Sequence, residues 1–272
     1  MAHAVRLIDS TGLRLAGVGA EWARFSTDVF GAKAHVVYDP DHGRPVYHAV
    51  TAANVNDITA AKEMPIEAGA LLMSSTSAIT TSASFAKLDA LGCRLVTRFK
   101  TNTPLNAPRE MPLEPGSTVL SDRIGFLPAR QCNNRKNPMQ DAVREIVVST
   151  EAGETLRLLT NDLDAPAQEI ADLYKRRWQI ELFFRLMKQT LKITKFVGRS
   201  ENAVRIQIAV ALIAFLLLRQ LQDVTKAKHG FLELARLVRA NLMHRKDPTQ
   251  LRKPPPPPPL DSRQLHLCLA ST

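Results

Sequence analysis

Two short apolar runs, Ala70–Met73 and Cys93–Phe99, do most to limit the folds open to this chain. The stretch between them, Ala83–Leu91, has the pattern of a helix. A strand, a helix and a strand in this order form a parallel pair, and parallel strands are buried on both faces, so they read as continuous apolar runs. The sequence therefore predicts a buried, partly parallel sheet with helices packed against it.

The residues before these runs predict three antiparallel strands. Val5–Ala16 alternates between apolar and polar residues, as a half-buried strand does. Ala34–Tyr38 and Pro45–Thr51 flank the turn sequence Asp39–Gly43, so they are expected to pair as a hairpin. A helix is expected over Asn56–Ala68, with an aspartate as its cap.

The second half of the chain changes from strand patterns to helix patterns. A loop is predicted over Thr101–Pro115, which is rich in Pro and Asn. Three strands are predicted after it, the last two as a hairpin: Ser117–Ser121, Val143–Ser149 and Thr155–Thr160. Three helices follow in the prediction, at about Pro166–Lys192, Asn202–Gln222 and Phe231–Met243, and then an extended proline tract, Pro254–Pro259.

Two apolar features of these helices predict burial. The apolar run Ile208–Leu218 has 11 residues, which is too short to span a bilayer, so it predicts a buried helix and no membrane partner. Trp178 lies in the long helix and is expected in the hydrophobic core of the protein. The three cysteines are far apart and odd in number, which argues against a disulfide framework and against a cysteine-based zinc site.

Positive charge is concentrated in the last third of the chain. The whole chain has a formal net charge of +10, and Tyr174–Lys253 holds 18 Lys and Arg against 5 Asp and Glu. Such a surplus favours a polyanionic partner with phosphate groups. A solvated helical surface has the same composition, so charge alone does not decide between the two.

One segment places four polar side chains on a single helical face. Taking Tyr174 as origin, Arg177, Glu181 and Lys188 follow at +3, +7 and +14, within an arc of roughly 60° at about 100° per residue. A carboxylate between two cations on an otherwise apolar helix suggests a functional site. The alternative is an ordinary ion pair at i,i+4, worth about 0.5 kcal/mol, and the spacing alone slightly favours it.

This segment closely resembles the Tyr-Arg-Glu-Lys signature of bacterial insertion-sequence transposases of the DDE type. The resemblance extends to Ile8-Asp9-Ser10-Thr11, to the stretch from Leu88 to Arg98, and to Gly198-x-Ser200-Glu201-Asn202. It covers most of residues 5 to 222. The fold that it implies is α/β and ribonuclease H-like: a mixed five-stranded sheet with flanking helices and a β-rich insertion after the fifth strand.

The same resemblance implies a division of the chain. Residues 1–100 and 165–222 would form the core, residues 101–164 the insertion, and residues 223–272 a basic helix with a proline-rich tail. It further implies a bacterial protein of the cytoplasm, associated with the nucleoid. Its partner would be double-stranded DNA, both transposon ends and target, and it would pair with a second copy or with an intact transposase.

The chemistry implied by the resemblance is phosphodiester hydrolysis at a transposon end, followed by strand transfer. Three carboxylates of such enzymes hold two Mg²⁺ ions about 3.5–4 Å apart. Carried over to this sequence, Asp9 and Glu181 would be catalytic metal ligands. Tyr174, Arg177 and Lys188 would contact DNA phosphates near the cut.

Two departures from the family pattern limit what this chain is expected to do. The second catalytic aspartate should stand at Ser75, where the sequence is a run of Ser and Thr, and no acid occurs between Glu67 and Asp89. Asp89 belongs to the next helix and is a poor substitute. The first catalytic strand begins at about Val5, which leaves no room for an upstream helical DNA-binding domain.

A local frameshift is one explanation of the missing aspartate. Codons exist for Ser74 to Ser82 that, read one base earlier, give Phe-Asp-Lys and then Tyr-Tyr-Asp. Divergence to a Ser/Thr-rich loop is the other explanation. Three functional readings therefore remain at this point: an impaired transposase, a catalytically dead DNA-binding protein that inhibits an intact transposase, and a pseudogene product that does not fold.

Overall fold

The computed structural model describes residues 4–16, 18–61, 63–74, 82–99, 102–129, 137–150, 153–226 and 230–242. Within these ranges the chain forms two compact units, Met1–Ile213 and Ala214–Thr272. The first unit holds the sheet and the candidate site. In the second, the rings of Phe215 and Phe231 lie 5.1 Å apart, and the Arg219 guanidinium lies 4.8 Å from the centre of the Phe231 ring.

A single ten-stranded sheet organises the first unit. The strands are β1 (Val5–Leu15), β2 (Arg24–Ser26), β3 (Val29–Asp39), β4 (Arg44–Ala52), β5 (Leu71–Ser74), β6 (Arg94–Arg98), β7 (Asn106–Glu110), β8 (Val119–Phe126), β9 (Val143–Ser149) and β10 (Thr155–Thr160). Their order is β2-β3-β1-β5-β6-β10-β9-β8-β7, and β4 also pairs with β3.

Six helices and a 3₁₀ turn at Glu21–Ala23 accompany the sheet in the described ranges. They are α1 (Asp57–Ala61), α2 (Ser82–Ala90), α3 (Ala167–Lys175), α4 (Trp178–Gln189), α5 (Glu201–Thr225) and α6 (Phe231–Asn241).

The sheet is mixed, as the sequence predicts. β1 and β4 each pair antiparallel with β3, which confirms the three-strand meander. β5 pairs parallel with both β1 and β6, which confirms that the two apolar runs are buried parallel strands. The predicted β9–β10 hairpin is also confirmed. The strands of the predicted insertion continue the same sheet, because β10 pairs antiparallel with β6.

Different side chains and helices pack on the two faces of the sheet. Ile8 belongs to a buried cluster with Leu72 and with Phe85 of α2. Successive side chains of a strand point to opposite faces, so Asp9 points away from that cluster. On the side of Asp9, Phe183 of α4 packs with its ring 5.2 Å from that of Tyr38. The sheet alternation therefore directs Asp9 towards the helices that carry the predicted signature.

Two predicted elements before residue 116 differ from the structure. The helix expected over Asn56–Ala68 is only α1, because the ring of Pro65 would clash with the carbonyl of Ala61 in a continued helix. The loop expected over Thr101–Pro115 contains β7, which is exposed along its whole length and holds a proline. A polar edge strand of this kind has no apolar pattern to reveal it.

The long helix predicted from Pro166 to Lys192 is two helices. Arg176 and Arg177 form a tight turn between α3 and α4, with backbone N–H groups donating to the carbonyls of Leu173 and Tyr174, both 3.0 Å away. These are i to i−3 bonds of 3₁₀ type, which overwind the chain locally. The turn lies inside the signature segment, so the one-helix picture of that segment is wrong.

The helix predicted to be buried is exposed along one side. Ile206, Val210 and Ile213 of α5 are 62%, 58% and 55% exposed. By length and composition alone α5 is sufficient to cross a membrane, and 28% of its most apolar window is buried. Core helices of soluble proteins meet the same criterion, so this property does not place the chain in a membrane.

Candidate active site

The first predicted carboxylate lies near the centre of the sheet. Asp9 is in the middle of β1 and is 8% exposed. Its Oδ1 accepts a hydrogen bond from the backbone N–H of Ser10, 2.8 Å away. The preceding residue, Ile8, pairs with Ser74, the last residue of β5. Asp9 therefore stands where the parallel strand beside it ends, which is the edge at which ligands bind in open α/β sheets.

The turn between α3 and α4 brings three signature residues to Asp9. Arg177 Nη1 lies 2.5 Å from Glu181 Oε1 and 3.8 Å from Asp9 Oδ2, so one nitrogen contacts both carboxylates. The Arg177 guanidinium also lies 5.5 Å from the centre of the Tyr174 ring. Residues far apart in sequence, Asp9 and the signature, thus form one cluster.

Two donors of this cluster are buried and have no partner. The Tyr174 hydroxyl and the Arg177 Nε are out of contact with solvent and make no hydrogen bond within the described residues. Buried polar groups are nearly always hydrogen-bonded, so such groups call for an explanation. An oxygen-rich anion could supply acceptors to both only if the side chains that cover them moved aside.

Burial and neighbouring charges shift the pKa values of three side chains of the signature. Burial opposes the charge of Arg177, but its neighbours, among them the carboxylates of Glu181 and Asp9, outweigh it and raise the pKa of the guanidinium. Burial also raises the pKa of the Tyr174 hydroxyl, which remains a neutral donor. Lys188 is half-buried, and burial lowers its pKa. The cluster thus offers fixed donors beside two acidic side chains.

The remaining predicted residues are separate from this cluster. Lys188 follows Glu181 by seven residues on α4, about 10 Å along the helix axis. Ser75, the position of the missing aspartate, lies outside the described residues. Asp89 accepts a hydrogen bond from the Asn161 side chain, which places it in another network. In the described part of the chain no group of three His, Cys, Asp or Glu side chains is placed to hold a metal ion.

Two residues near the site were not predicted there. Trp178, expected in the core, is 50% exposed, and the Arg185 guanidinium lies 5.5 Å from the centre of its ring. Trp178 is the first residue of α4, directly after the turn at Arg177, and nothing in the helical spacing indicated its exposure. Arg98, at the end of β6, acts electrostatically on Tyr174. Its position as the last residue of a buried parallel strand was the signal in that case.

Comparison with known proteins gives a consistent result. The family model described as "Transposase DDE domain" matches residues 1–217. A Sinorhizobium fredii protein described as a transposase is 36% identical over 271 residues, which are 95% of this chain and 72% of that protein. A Geobacillus stearothermophilus protein described as a transposase for insertion sequence element IS5377 is 30% identical, over 82% of this chain and 58% of that protein.

A solved structure shares the fold. The chain is similar to the piggyBac transposase in its synaptic complex with hairpin DNA, with a TM-score of 0.51 and 11% sequence identity. The match covers 98% of this chain and 56% of the other. The chain thus spans a little over half to about three quarters of the length of the proteins that it matches.

Proposed function

Since this chain belongs to the transposases that carry a DDE domain, we propose that it binds double-stranded DNA as a transposase does, at transposon ends and at a target. The family activity is metal-dependent phosphodiester hydrolysis followed by strand transfer. We propose that this activity is impaired here, so that DNA binding is the function that remains.

The observation that carries the proposal is the pair of unpartnered donors at the site. A DNA phosphate offers several oxygen acceptors with negative charge, which suits the Arg177 guanidinium and the neutral Tyr174 hydroxyl. The excess of Lys and Arg after Tyr174 adds sequence-independent attraction to the duplex. Lys188, farther along α4, is proposed to contact the next phosphates of the same strand.

The carboxylates support the lineage but do not fit the family's metal centre. Divalent ions such as Mg²⁺ need several hard oxygen ligands, and a pair of ions needs shared carboxylates. Asp9 and Glu181 supply two, and both contact the guanidinium of Arg177. The family's third carboxylate has Ser75 in its place. We therefore assign no catalytic step to a metal in this chain.

The same mismatch favours the second candidate, a catalytically dead remnant. Such a protein would occupy DNA ends or pair with an intact transposase, and so would inhibit transposition. It differs from an impaired enzyme in one respect, which is that no metal concentration produces cleavage.

The sheet supports a ribonuclease H-like core in the proposed scheme. Five neighbouring strands, in the order β4-β3-β1-β5-β6, contain the antiparallel meander and the parallel pair. We assign these strands to the core, the strands β7 to β10 to the insertion over residues 101–164, and residues 165–222 to the closing helices. The site then forms where the core meets α3 and α4.

DNA binding is tested by fluorescence anisotropy with a labelled duplex over a series of salt concentrations. We expect binding that weakens steeply with salt, and a further loss in Arg177→Ala and Tyr174→Phe. Lys175→Ala is the matched control, because Lys175 is an exposed cation of the same segment that pairs with Asp172, 3.0 Å away. Equal losses in the control and in Arg177→Ala would contradict the proposed phosphate contact.

Catalysis is tested by nicking of supercoiled plasmid with Mg²⁺ or Mn²⁺. We expect little nicking by the natural chain and clearly more by Ser75→Asp, which Glu181→Ala should abolish; no nicking by the natural chain at any metal concentration would favour the dead remnant. Nicking by the natural chain as strong as that by Ser75→Asp would show that the site is intact. The gene sequence across codons 69 to 89, read one base earlier, distinguishes a frameshift from divergence. A frameshift would reveal Phe-Asp-Lys and Tyr-Tyr-Asp in that reading frame, and divergence would not.

A further inference from the structure

The segment between α4 and α5 exposes an apolar tip between two cations. Val197 is 98% exposed, the highest fraction among the exposed large apolar side chains of the described residues. Lys195 and Arg199 flank it, and both are exposed. We call residues 194–200 the connecting loop. It includes part of the Gly198-x-Ser200-Glu201-Asn202 stretch, to which the proposed DNA-binding site gives no role.

The connecting loop is held in place by one glutamine. Gln207 of α5 accepts a hydrogen bond from the Val197 backbone N–H, 3.0 Å away, and donates one to the Lys195 carbonyl, 2.8 Å away. The side-chain amide of a glutamine both accepts and donates hydrogen bonds, so it can bind two backbone groups of one loop at once. The backbone on both sides of Phe196 is therefore fixed to α5.

A second anchor holds the far end of the loop. The Trp22 indole Nε1 donates to the Arg199 carbonyl, 2.9 Å away, across a long sequence separation. Gly198 packs so closely on α5 that a β-carbon at this position would lie 2.6 Å from Ala203 Cβ. Ser200 then accepts a hydrogen bond from the Ala203 N–H at the start of the helix. Together with the two Gln207 bonds, these contacts fix a loop whose Val197 side chain remains 98% exposed.

Such a loop is ordered at an entropic cost, and its exposed valine gains nothing from burial in return. The acidic side chains beside it are already engaged: Glu201 pairs with Arg205, and Glu21 accepts the Gly19 N–H. Glu21 keeps its negative charge, but Lys195 and Arg199 make no ion pair within the described residues, so the cations of this surface outnumber its unpaired carboxylate. An apolar tip between cations matches a duplex, whose phosphates flank grooves that accept apolar side chains.

We propose that the connecting loop is a preformed contact to duplex DNA. Lys195 and Arg199 bind phosphates on either side of a groove, and Val197 lies against the groove edge. The loop begins shortly after α4 ends at Gln189, so a duplex that reaches Lys188 extends towards it. The inference rests on the proposed DNA binding and adds a second contact region outside the carboxylate cluster.

The test separates charge from packing by salt-dependent anisotropy with a labelled duplex. Each lost phosphate contact should lower the slope of log affinity against log salt by about 0.9, so Lys195→Ala with Arg199→Ala should lower it by about 1.8. Val197→Ser should weaken binding severalfold with the slope unchanged. Lys87→Ala is the control, because Lys87 is exposed on α2, whose Phe85 packs on the face opposite to Asp9.

A positioning variant tests the anchoring. Gln207→Leu removes both bonds to the loop but no charge, so it should weaken DNA binding while the salt slope falls by less than in the double variant. Thermal unfolding of each variant verifies that it is folded. Gln207→Leu with unchanged affinity would overturn the idea that the loop must be preformed.

Other outcomes separate this inference from the proposed function. If the natural chain binds DNA and the double variant keeps the same slope and affinity, the loop proposal is wrong and the proposed function stands. If the natural chain shows no salt-dependent binding, the proposed function itself fails. If the loop variants change only sedimentation behaviour, the loop contacts a second copy of the chain and the DNA assignment is overturned.

Discussion

The buried ion pair between Arg144 and Asp122 gives the sharpest prediction of stability. The Arg144 Nε and Nη2 donate to the two carboxylate oxygens of Asp122, at 2.8 and 2.7 Å, and Nη1 donates to the carbonyl of Ala165, 2.6 Å away. Both side chains are at most 5% exposed. The pair links β8 and β9 to the residues that lead into α3, and α3 carries Tyr174.

Arg144→Met keeps much of the volume of the side chain and removes all of these bonds. A buried carboxylate left without its partner costs about 3–5 kcal/mol, and unpaired carbonyls add to it. We therefore expect a loss of about 4 kcal/mol, which is a large part of the roughly 5–15 kcal/mol that stabilises a typical domain. The assay is urea unfolding followed by circular dichroism, with the midpoint and slope fitted for each variant.

The comparison variants decide whether burial is the cause. Asp172→Asn breaks an ion pair whose side chains are 54% and 62% exposed, so it should cost less than about 1 kcal/mol. Replacing both buried partners, as Asp122→Leu with Arg144→Met, should recover much of the loss, because no uncompensated charge remains. A loss in Arg144→Met that is no larger than in Asp172→Asn would refute the reasoning.

Three further predictions concern single side chains. Tyr174→Phe should leave stability unchanged or raise it by up to about 1 kcal/mol, since it removes an unpartnered buried hydroxyl, and thermal unfolding measures this. Burial lowers the pKa of His35, which is 1% exposed, so the folded chain binds fewer protons than the unfolded one; stability should fall as the pH drops through about 6.5, and less so in His35→Gln, as followed by melting temperature from pH 8 to 5. Gly125→Ala should cost about 1–3 kcal/mol in urea unfolding, because its β-carbon would lie 2.7 Å from the Asn106 carbonyl oxygen.

The parts of the fold that the sequence predicted are those where burial imposes a repeating pattern. β5 and β6 were found because both faces of a parallel strand are covered, so the apolar run is unbroken. β7 was missed because all of its residues are exposed. The break between α3 and α4 was missed because arginine is a good helix former, so nothing local marks Arg176 and Arg177 as a turn.

The candidate site was only partly visible for a related reason. Helical spacing grouped Tyr174, Arg177 and Glu181, and the resemblance added Asp9, but spacing along one helix does not show contacts across the fold. The approach of Arg177 to both carboxylates depends on the α3–α4 turn and on the face of β1. The exposure of Trp178 likewise depends on what packs around α4, which a helical period does not specify.

The pairing of β6 with β10 has a consequence for how this architecture tolerates change. Val96 lies opposite Thr160, so the chain leaves the core and returns to it on adjacent strands, about 4.8 Å apart. The segment between these two strands, which includes β7, β8 and β9, begins and ends at neighbouring positions. The entropic cost of closing such a segment grows only slowly with its length. Insertions and deletions in the turns of this segment can therefore accumulate without shifting the start of α3, whereas β9 is constrained because Val143 belongs to the buried core. Two residues tie the segment to that start: Arg144 donates to the Leu163 and Ala165 carbonyls, and Thr118 donates to the Gln168 side chain of α3.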